Sequence, residues 1–159
     1  GTLAVNAIDS SGAVEVASTG TLTVGAVSSP TQVNLESVNG AILGSDAATA
    51  DISTPVAHLV AAAGIGGTGA AELDLSVDQL VLQNTATGSA YLNLLRATSL
   101  ASVELAGPGN LYVRAADTVQ VPGVVSLYQG SLRAKVLGEL LITGELLASG
   151  NIDQKKLLF

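Results

Sequence analysis

The chain has 159 residues and a net charge of −7, and all six of its basic residues lie at or after Arg96. Almost half of the residues are hydrophobic, yet only four are aromatic, and there is no cysteine, methionine or tryptophan. This composition excludes a disulfide scaffold and any cysteine-based metal site. It also argues against nucleic acid as a partner, because phosphate binding needs clustered lysine and arginine. Membrane insertion is not expected, since the uncharged stretch 52–71 contains Pro55 and four glycines.

Aliphatic residues recur along the chain in two series, each at a nearly constant interval of about 20 residues. The members of the first series are Val14, Val33, Ile52, Leu73, Leu92, Leu111, Leu132 and Ile152. The members of the second series are Leu3, Leu22, Ile42, Val60, Leu80, Leu100, Val119 and Leu140. A constant period of this length is typical of a solenoid. It predicts an all-β fold, a parallel β-helix (β-solenoid) of about eight coils of about 19–21 residues, continuous through residues 1–159 as a single domain.

The residues around the first series alternate apolar, polar and apolar, which predicts short strands with one face in the core and one in water. In chain order these strands are 14–16, 33–35, 73–75, 92–94 and 111–113. Turns are predicted where glycine, proline, serine and asparagine cluster, at 10–12, 29–30, 66–69, 107–110 and 122–123. The segment 132–147 also fits a helical spacing, but Gly138 and Gly144 favour strands.

In the second series the position predicted to face outward is often apolar, as at Leu43, Val81 and Leu141. One explanation is that another element covers this side of the solenoid, or that a partner packs laterally against it. The other is a shift of one residue in the predicted register, which exchanges inward and outward side chains. Leu43, Val81 and Leu141 are therefore the candidate residues of a lateral interface.

The chain offers few residues for catalysis or metal binding. Its single histidine, His58, has no serine or cysteine nucleophile motif beside it. The glycine-rich segment 64–69 lacks an aspartate and a following lysine, which favours a tight coil corner over a calcium or nucleotide loop. We therefore expect no catalytic, cofactor-binding or metal-binding residue and no cofactor.

Outward carboxylates are the one candidate for chemistry on carbohydrates. Asp74 and Asp78 lie four residues apart on one side of a predicted extended segment, and Asp46 and Asp51 flank a predicted turn. Two carboxylates on either side of a glycosidic bond perform its hydrolysis. A solvated strand face explains the same acids, so Asp74 and Asp78 form only a weak alternative carbohydrate site.

Residues 51–94 carry a more specific pattern. Its parts are an alanine and glycine-isoleucine strand end at 62–66, a leucine and valine segment at 73–80, an asparagine, threonine and glycine turn at 84–88, and a strand at 91–92. The pattern resembles the repeats of large bacterial exoproteins of the filamentous-haemagglutinin type. The resemblance implies a right-handed β-helical shaft that is secreted and is extracellular or displayed on the bacterial cell surface. The secretion motif of the family is not found, which implies a shaft segment or repeat unit.

The expected function is structural and not enzymatic: a shaft or filament subunit of a surface adhesin, acting as a stiff spacer. The alternative is a carbohydrate-active β-helix that binds or cleaves polysaccharide with outward carboxylates. The expected partners are other copies of the chain, end to end or laterally, and glycans or proteins of a host or matrix. Head-to-tail association is favoured because the part before Arg96 is acidic and the part after it is more basic.

Overall fold

The structure, a computed structural model, describes residues 1–45 and 49–156, without the side chains of Lys155 and Lys156. The described residues form a parallel β-solenoid of about seven turns, which confirms the predicted fold class. Its strands are β1 (Leu3–Asp9), β2 (Val14–Ser18), β3 (Leu22–Ser28), β4 (Gln32–Ser37), β5 (Ile42–Gly44), β6 (Ile52–Ala61), β7 (Leu73–Asn84), β8 (Ala90–Leu94), β9 (Thr98–Pro108), β10 (Leu111–Ala115), β11 (Val119–Val121), β12 (Val124–Gln129), β13 (Leu132–Val136), β14 (Leu140–Ile142), β15 (Glu145–Ala148) and β16 (Ile152–Lys156). A short 3₁₀ turn, Gly69–Ala71, lies between β6 and β7.

Columns of inward-facing aliphatic side chains fill the solenoid, because the strands of successive coils pair in parallel, and three of these columns run the length of the described stack. The first column consists of Leu3, Leu22, Ile42, Ile65, Ala90, Leu111, Leu132 and Ile152. The second consists of Val16, Leu35, Leu59, Leu82, Val103, Val125 and Leu146. The third consists of Ile8, Val27, Ile52, Leu75, Leu94, Ala115 and Val136. All members of these three columns from Leu22 to Val136 are buried and belong to one continuous core.

The predicted steps agree with the observed pairing register only where the coils are short. Several predicted steps are confirmed, among them Leu3–Leu22, Leu73–Leu92 and Leu111–Leu132. Others are wrong: Val33 pairs with Ala57 and not with Ile52, which belongs to the third column. The step from Ile65 to its partner Ala90 is also longer than the predicted period. These longer coils move the series from one column to another, and they reduce the predicted eight coils to about seven turns.

The glycine-rich segment 64–69 forms the predicted coil corner. Gly64 and Gly66 have φ angles of +112° and +72°, in the left-handed region that favours glycine. The buried side chain of Asn84 holds this corner from inside: its amide donates to the carbonyl oxygens of residues 87–88 at 2.9 and 2.7 Å. Its Oδ1 accepts a hydrogen bond from the Gly64 backbone N–H at 3.2 Å. The buried amide therefore has partners for its donors and its acceptor, as a buried polar group requires.

The two ends of the described stack are its least buried parts. No residue of β1 is buried, and Leu141, Ile142 and Leu147 near the other end are 41%, 43% and 52% exposed. Among the described strands, β1 pairs only with β3, and β15 pairs only with β12. Each end therefore presents an open strand edge that carries apolar side chains.

Candidate functional site

The single histidine is placed as a strand residue. His58 lies at an outward position of β6, half-buried between Asn34 and Val81 of the adjacent coils. Within residues 1–45 and 49–156, no three histidine, aspartate or glutamate side chains are grouped as metal ligands. Asp46, one of the acids named from the sequence, lies outside the described residues.

Asp74 and Asp78 both belong to β7 but have different partners. The Asp74 carboxylate accepts a hydrogen bond from the Asn93 side-chain amide of the next coil at 2.7 Å. Asp78 forms an ion pair with Arg96 at 3.1 Å, and Arg96 also donates to the carbonyl oxygen of Thr54 at 3.0 Å. Each carboxylate is thus engaged in a contact between coils, and the two share no partner.

The three residues of the predicted lateral interface do not share a surface. Leu43 lies half-buried on β5, where the glycine corner covers it: a Cβ added at Gly67 would lie 3.7 Å from the Leu43 side chain. Val81 lies half-buried on β7, in an outward row beside His58. Leu141 lies on β14, three coils further along the stack. Two explanations were predicted for an apolar side chain that faces outward, and at Leu43 the first of them, cover by another element, therefore applies.

Asp51 is a buried carboxylate at a coil corner. Its Oδ1 accepts hydrogen bonds from the backbone N–H and the hydroxyl of Ser45 at 3.0 and 3.3 Å, and its Oδ2 accepts one from the Asp74 backbone N–H at 2.9 Å. Burial raises the pKa of Asp51 above its ordinary value; these hydrogen bonds oppose that rise, and the charge of Asp74 adds to it. The carboxyl group links two successive coils, a structural role that its predicted position beside a turn did not reveal.

Strands β8, β10 and β13 bring together outward residues that the sequence did not mark as a candidate site, although its period does place Tyr112 and Arg133 one coil apart on the outward face. The register pairs Tyr91 with Tyr112, and Tyr112 with Arg133. The same register places Arg114 directly beside Lys135 of the next coil. We call these five residues, Tyr91, Tyr112, Arg114, Arg133 and Lys135, the basic–aromatic surface.

The side chains of the basic–aromatic surface are arranged by contacts within and between coils. The rings of Tyr91 and Tyr112 are stacked, with centroids 4.5 Å apart and planes within 6° of parallel. This separation is close to the spacing of neighbouring strands, so the stack follows from the register. The Asn110 amide donates to the Tyr112 hydroxyl oxygen at 3.2 Å, which leaves the hydroxyl proton available to another acceptor. The guanidinium of Arg114 is paired with the carboxylate of Glu72.

Two shallow grooves flank the ridge that Arg114 and Lys135 form. The groove on the tyrosine side has a volume of about 270 Å³, and its other lining residues include Glu72, Tyr91, Tyr112 and Arg133. The groove on the opposite side has a volume of about 240 Å³, and its other lining residues are Asn93, Ala115, Ala116 and Leu137. Guanidinium, ammonium, amide and hydroxyl groups along the two grooves are hydrogen-bond donors, and the cationic ones attract anions. The arrangement suits a ligand that carries negative charge.

The basic–aromatic surface depends on the pairing register. Its residues are spread over 91–135, with no run of basic residues and no cluster of aromatic residues to mark them in the sequence. The signal that leads to them is the repeat itself, since Tyr91 precedes Tyr112, and Arg114 precedes Lys135, by the same interval of one coil. Outward positions therefore have to be compared across coils, as inward ones are.

We compared the chain with protein-family models, with curated proteins and with solved structures, and none of these comparisons gave a match. The parallel β-solenoid is shown by the strand pairing itself. In the part of the chain that the structure describes, no helix is both long enough and apolar enough to cross a membrane.

Proposed function

We propose that the chain is a structural β-solenoid segment, a shaft or filament subunit of a bacterial surface or extracellular adhesin of the filamentous-haemagglutinin type. In this role it is a stiff spacer and not an enzyme. The observation that carries the proposal is the parallel pairing that continues from β1 to β16 around one core.

The direction of the backbone hydrogen bonds explains why such a spacer is stiff. In a solenoid the bonds between strands run along the axis of the stack, so bending or stretching the rod strains many of them at once. About seven turns at a strand spacing of ~4.8 Å give a rod of roughly 34 Å. The buried aliphatic columns add resistance, because close-packed interiors are hard to deform.

The open edges support association between copies of the chain. The edge at β14 and β15 carries half-exposed leucine and isoleucine side chains, and the edge at β1 has no buried residue. An unpaired edge is a template on which another strand can pair. Charge favours head-to-tail order, because residues before Arg96 carry eight acidic and no basic side chains.

Negative-stain electron microscopy of the purified chain tests this proposal. We expect rods that join end to end into longer filaments, more readily at low salt than at high salt because screening weakens the attraction. The double variant Leu141→Glu/Leu147→Glu puts carboxylates at outward, half-exposed positions of one edge, where they repel the acidic end of a second copy, and we expect it to form only short rods. Val38→Glu is the matched control, since Val38 is 50% exposed but lies beside β4, away from that edge. Uniform single particles of the unmodified chain at every salt concentration would contradict end-to-end assembly, and particles that are not rod-shaped would contradict the spacer role.

A further inference from the structure

We propose that the basic–aromatic surface binds an acidic polysaccharide, a linear glycan that carries carboxylate or sulfate groups, laid along the grooves beside the ridge. This inference goes beyond the spacer role, because it assigns a ligand-binding site to one side of the rod and does not require assembly.

The first support is charge. The chain is acidic overall, but Arg114, Arg133 and Lys135, three of its six basic residues, project from two adjacent coils. Arg114 is paired with Glu72, whereas neither Arg133 nor Lys135 forms an ion pair with any side chain that the structure describes. In the register of the next coil Asp153 lies beside Arg133 and Lys155 lies beside Lys135, so basic residues still outnumber acidic ones at this surface. A local excess of positive charge on an acidic protein attracts anions to that place.

The second support is the shape of the surface. Each groove is smaller than the 300–1,000 Å³ of pockets that enclose a drug-sized ligand, at about 270 and 240 Å³. An extended polymer that lies on the surface fits such shallow grooves better than a small molecule that has to be enclosed. The basic ridge between them can contact the charged groups of the polymer from either groove.

The third support is the mixture of groups around the charges. Tyr112 offers a hydroxyl proton, and Asn93 offers an amide, although that amide also donates to Asp74. In the groove away from the tyrosines, Asn93 lies with Leu137, which is 38% exposed, and Leu95 directly after β8 is 40% exposed. A sugar ring presents hydroxyl groups at its edge and C–H groups on its faces, so hydrogen-bonding and apolar groups on either side of a basic ridge complement it.

The ring geometry favours a glycan over single-stranded nucleic acid. Proteins that bind single strands stack successive bases on the open faces of aromatic rings. Here the facing sides of Tyr91 and Tyr112 are stacked on each other, and Arg133 lies beside Tyr112 in the next coil. The tyrosines therefore present mainly hydroxyl groups and ring edges, which serve hydrogen bonding better than base stacking.

Isothermal titration calorimetry with four polymers tests the inference: heparin oligosaccharides, polygalacturonate oligosaccharides, neutral dextran and inorganic polyphosphate. We expect one or both of the acidic glycans to bind more tightly than polyphosphate, and we expect their affinity to fall as the salt concentration rises. Dextran should not bind. Binding of heparin alone identifies sulfate as the recognised group, and binding of polygalacturonate alone identifies carboxylate. Failure of both glycans to bind, or equally tight binding of polyphosphate, overturns the inference.

Variants locate the site. Arg133→Gln/Lys135→Gln should weaken binding by about tenfold or more, and Tyr112→Ala by about two- to tenfold, the range for loss of one hydrogen bond or aromatic contact. Tyr128→Ala is the matched control, because Tyr128 is 66% exposed and lies on β12, outside both grooves. Unchanged thermal unfolding of each variant shows that the fold is intact. Equal affinities of Tyr112→Ala, Tyr128→Ala and the unmodified chain would overturn the assignment of the site. The edge variant Leu141→Glu/Leu147→Glu should still bind the acidic glycans, which separates this result from the outcome of the assembly experiment.

Discussion

Gly130 lies at a coil corner where the preceding coil leaves no room for a side chain. A Cβ added there would overlap the carbonyl oxygen of Gly109. We expect Gly130→Ala to lower the free energy of unfolding by about 1–3 kcal/mol, because the backbones of two coils have to separate. Gly12→Ala is the control: an added Cβ meets nothing within 4 Å, and φ at Gly12 is not positive. Urea denaturation of both variants is the measurement, and equal losses of stability would contradict this account of the corner.

The buried carboxyl of Asp51 should give the fold an unusual dependence on pH. Because burial raises the pKa of Asp51 in the folded chain, its protonated form is favoured there relative to the unfolded chain. Its contribution to stability is therefore complete below the ordinary value of 3.8 and is lost as the pH rises through the higher folded pKa. We expect the stability of the unmodified chain, relative to that of Asp51→Asn, to fall as the pH is raised from about 4.

Urea denaturation across this pH range measures the difference between the two chains. Glu36→Gln, at an exposed outward position of β4, controls for the loss of one negative charge. The opposite slope, a relative stability that rises with pH, would show that the hydrogen bonds from Ser45 and Asp74 outweigh the cost of burial.

At the scale of strands, the sequence predicts well which side chains alternate between inward and outward positions. It predicts less well the register in which the strands of successive coils pair. Alternation is a local property, so the predicted strands 33–35 and 92–94 lie within β4 and β8. Register depends on the length of each coil, and no local pattern reveals that the coil from Ile65 to Ala90 is longer than the one from Leu3 to Leu22. The predicted series therefore keeps its period while it moves from one column of the core to another.

The candidate site also depends on contacts between coils, which the sequence does not reveal. Asp74 and Asp78 were visible in the sequence because they are four residues apart, but their partners come from the next coil. The basic–aromatic surface was not predicted, because the strand pairing that assembles it joins residues of different coils. Composition also argued against an anion-binding surface, because a net charge of −7 for the whole chain does not reveal a local excess of basic residues.

At the scale of the whole molecule, stability should vary along the stack. A solenoid is stabilised by contacts between neighbouring coils, so a coil in the middle has two neighbours and an end coil has one. β6 and β7 contribute fully buried residues to the core and pair on both sides, whereas β1 and β14 contribute none that is buried. We expect the amides of β6 and β7 to exchange ~100-fold or more slowly than those of β1, β14 and β15. Hydrogen exchange followed by mass spectrometry measures this profile, and uniform protection would mean that the chain opens only as a whole. Protection of the end strands that rises with protein concentration would indicate that a second copy covers the open edges, which links the profile to the proposed assembly.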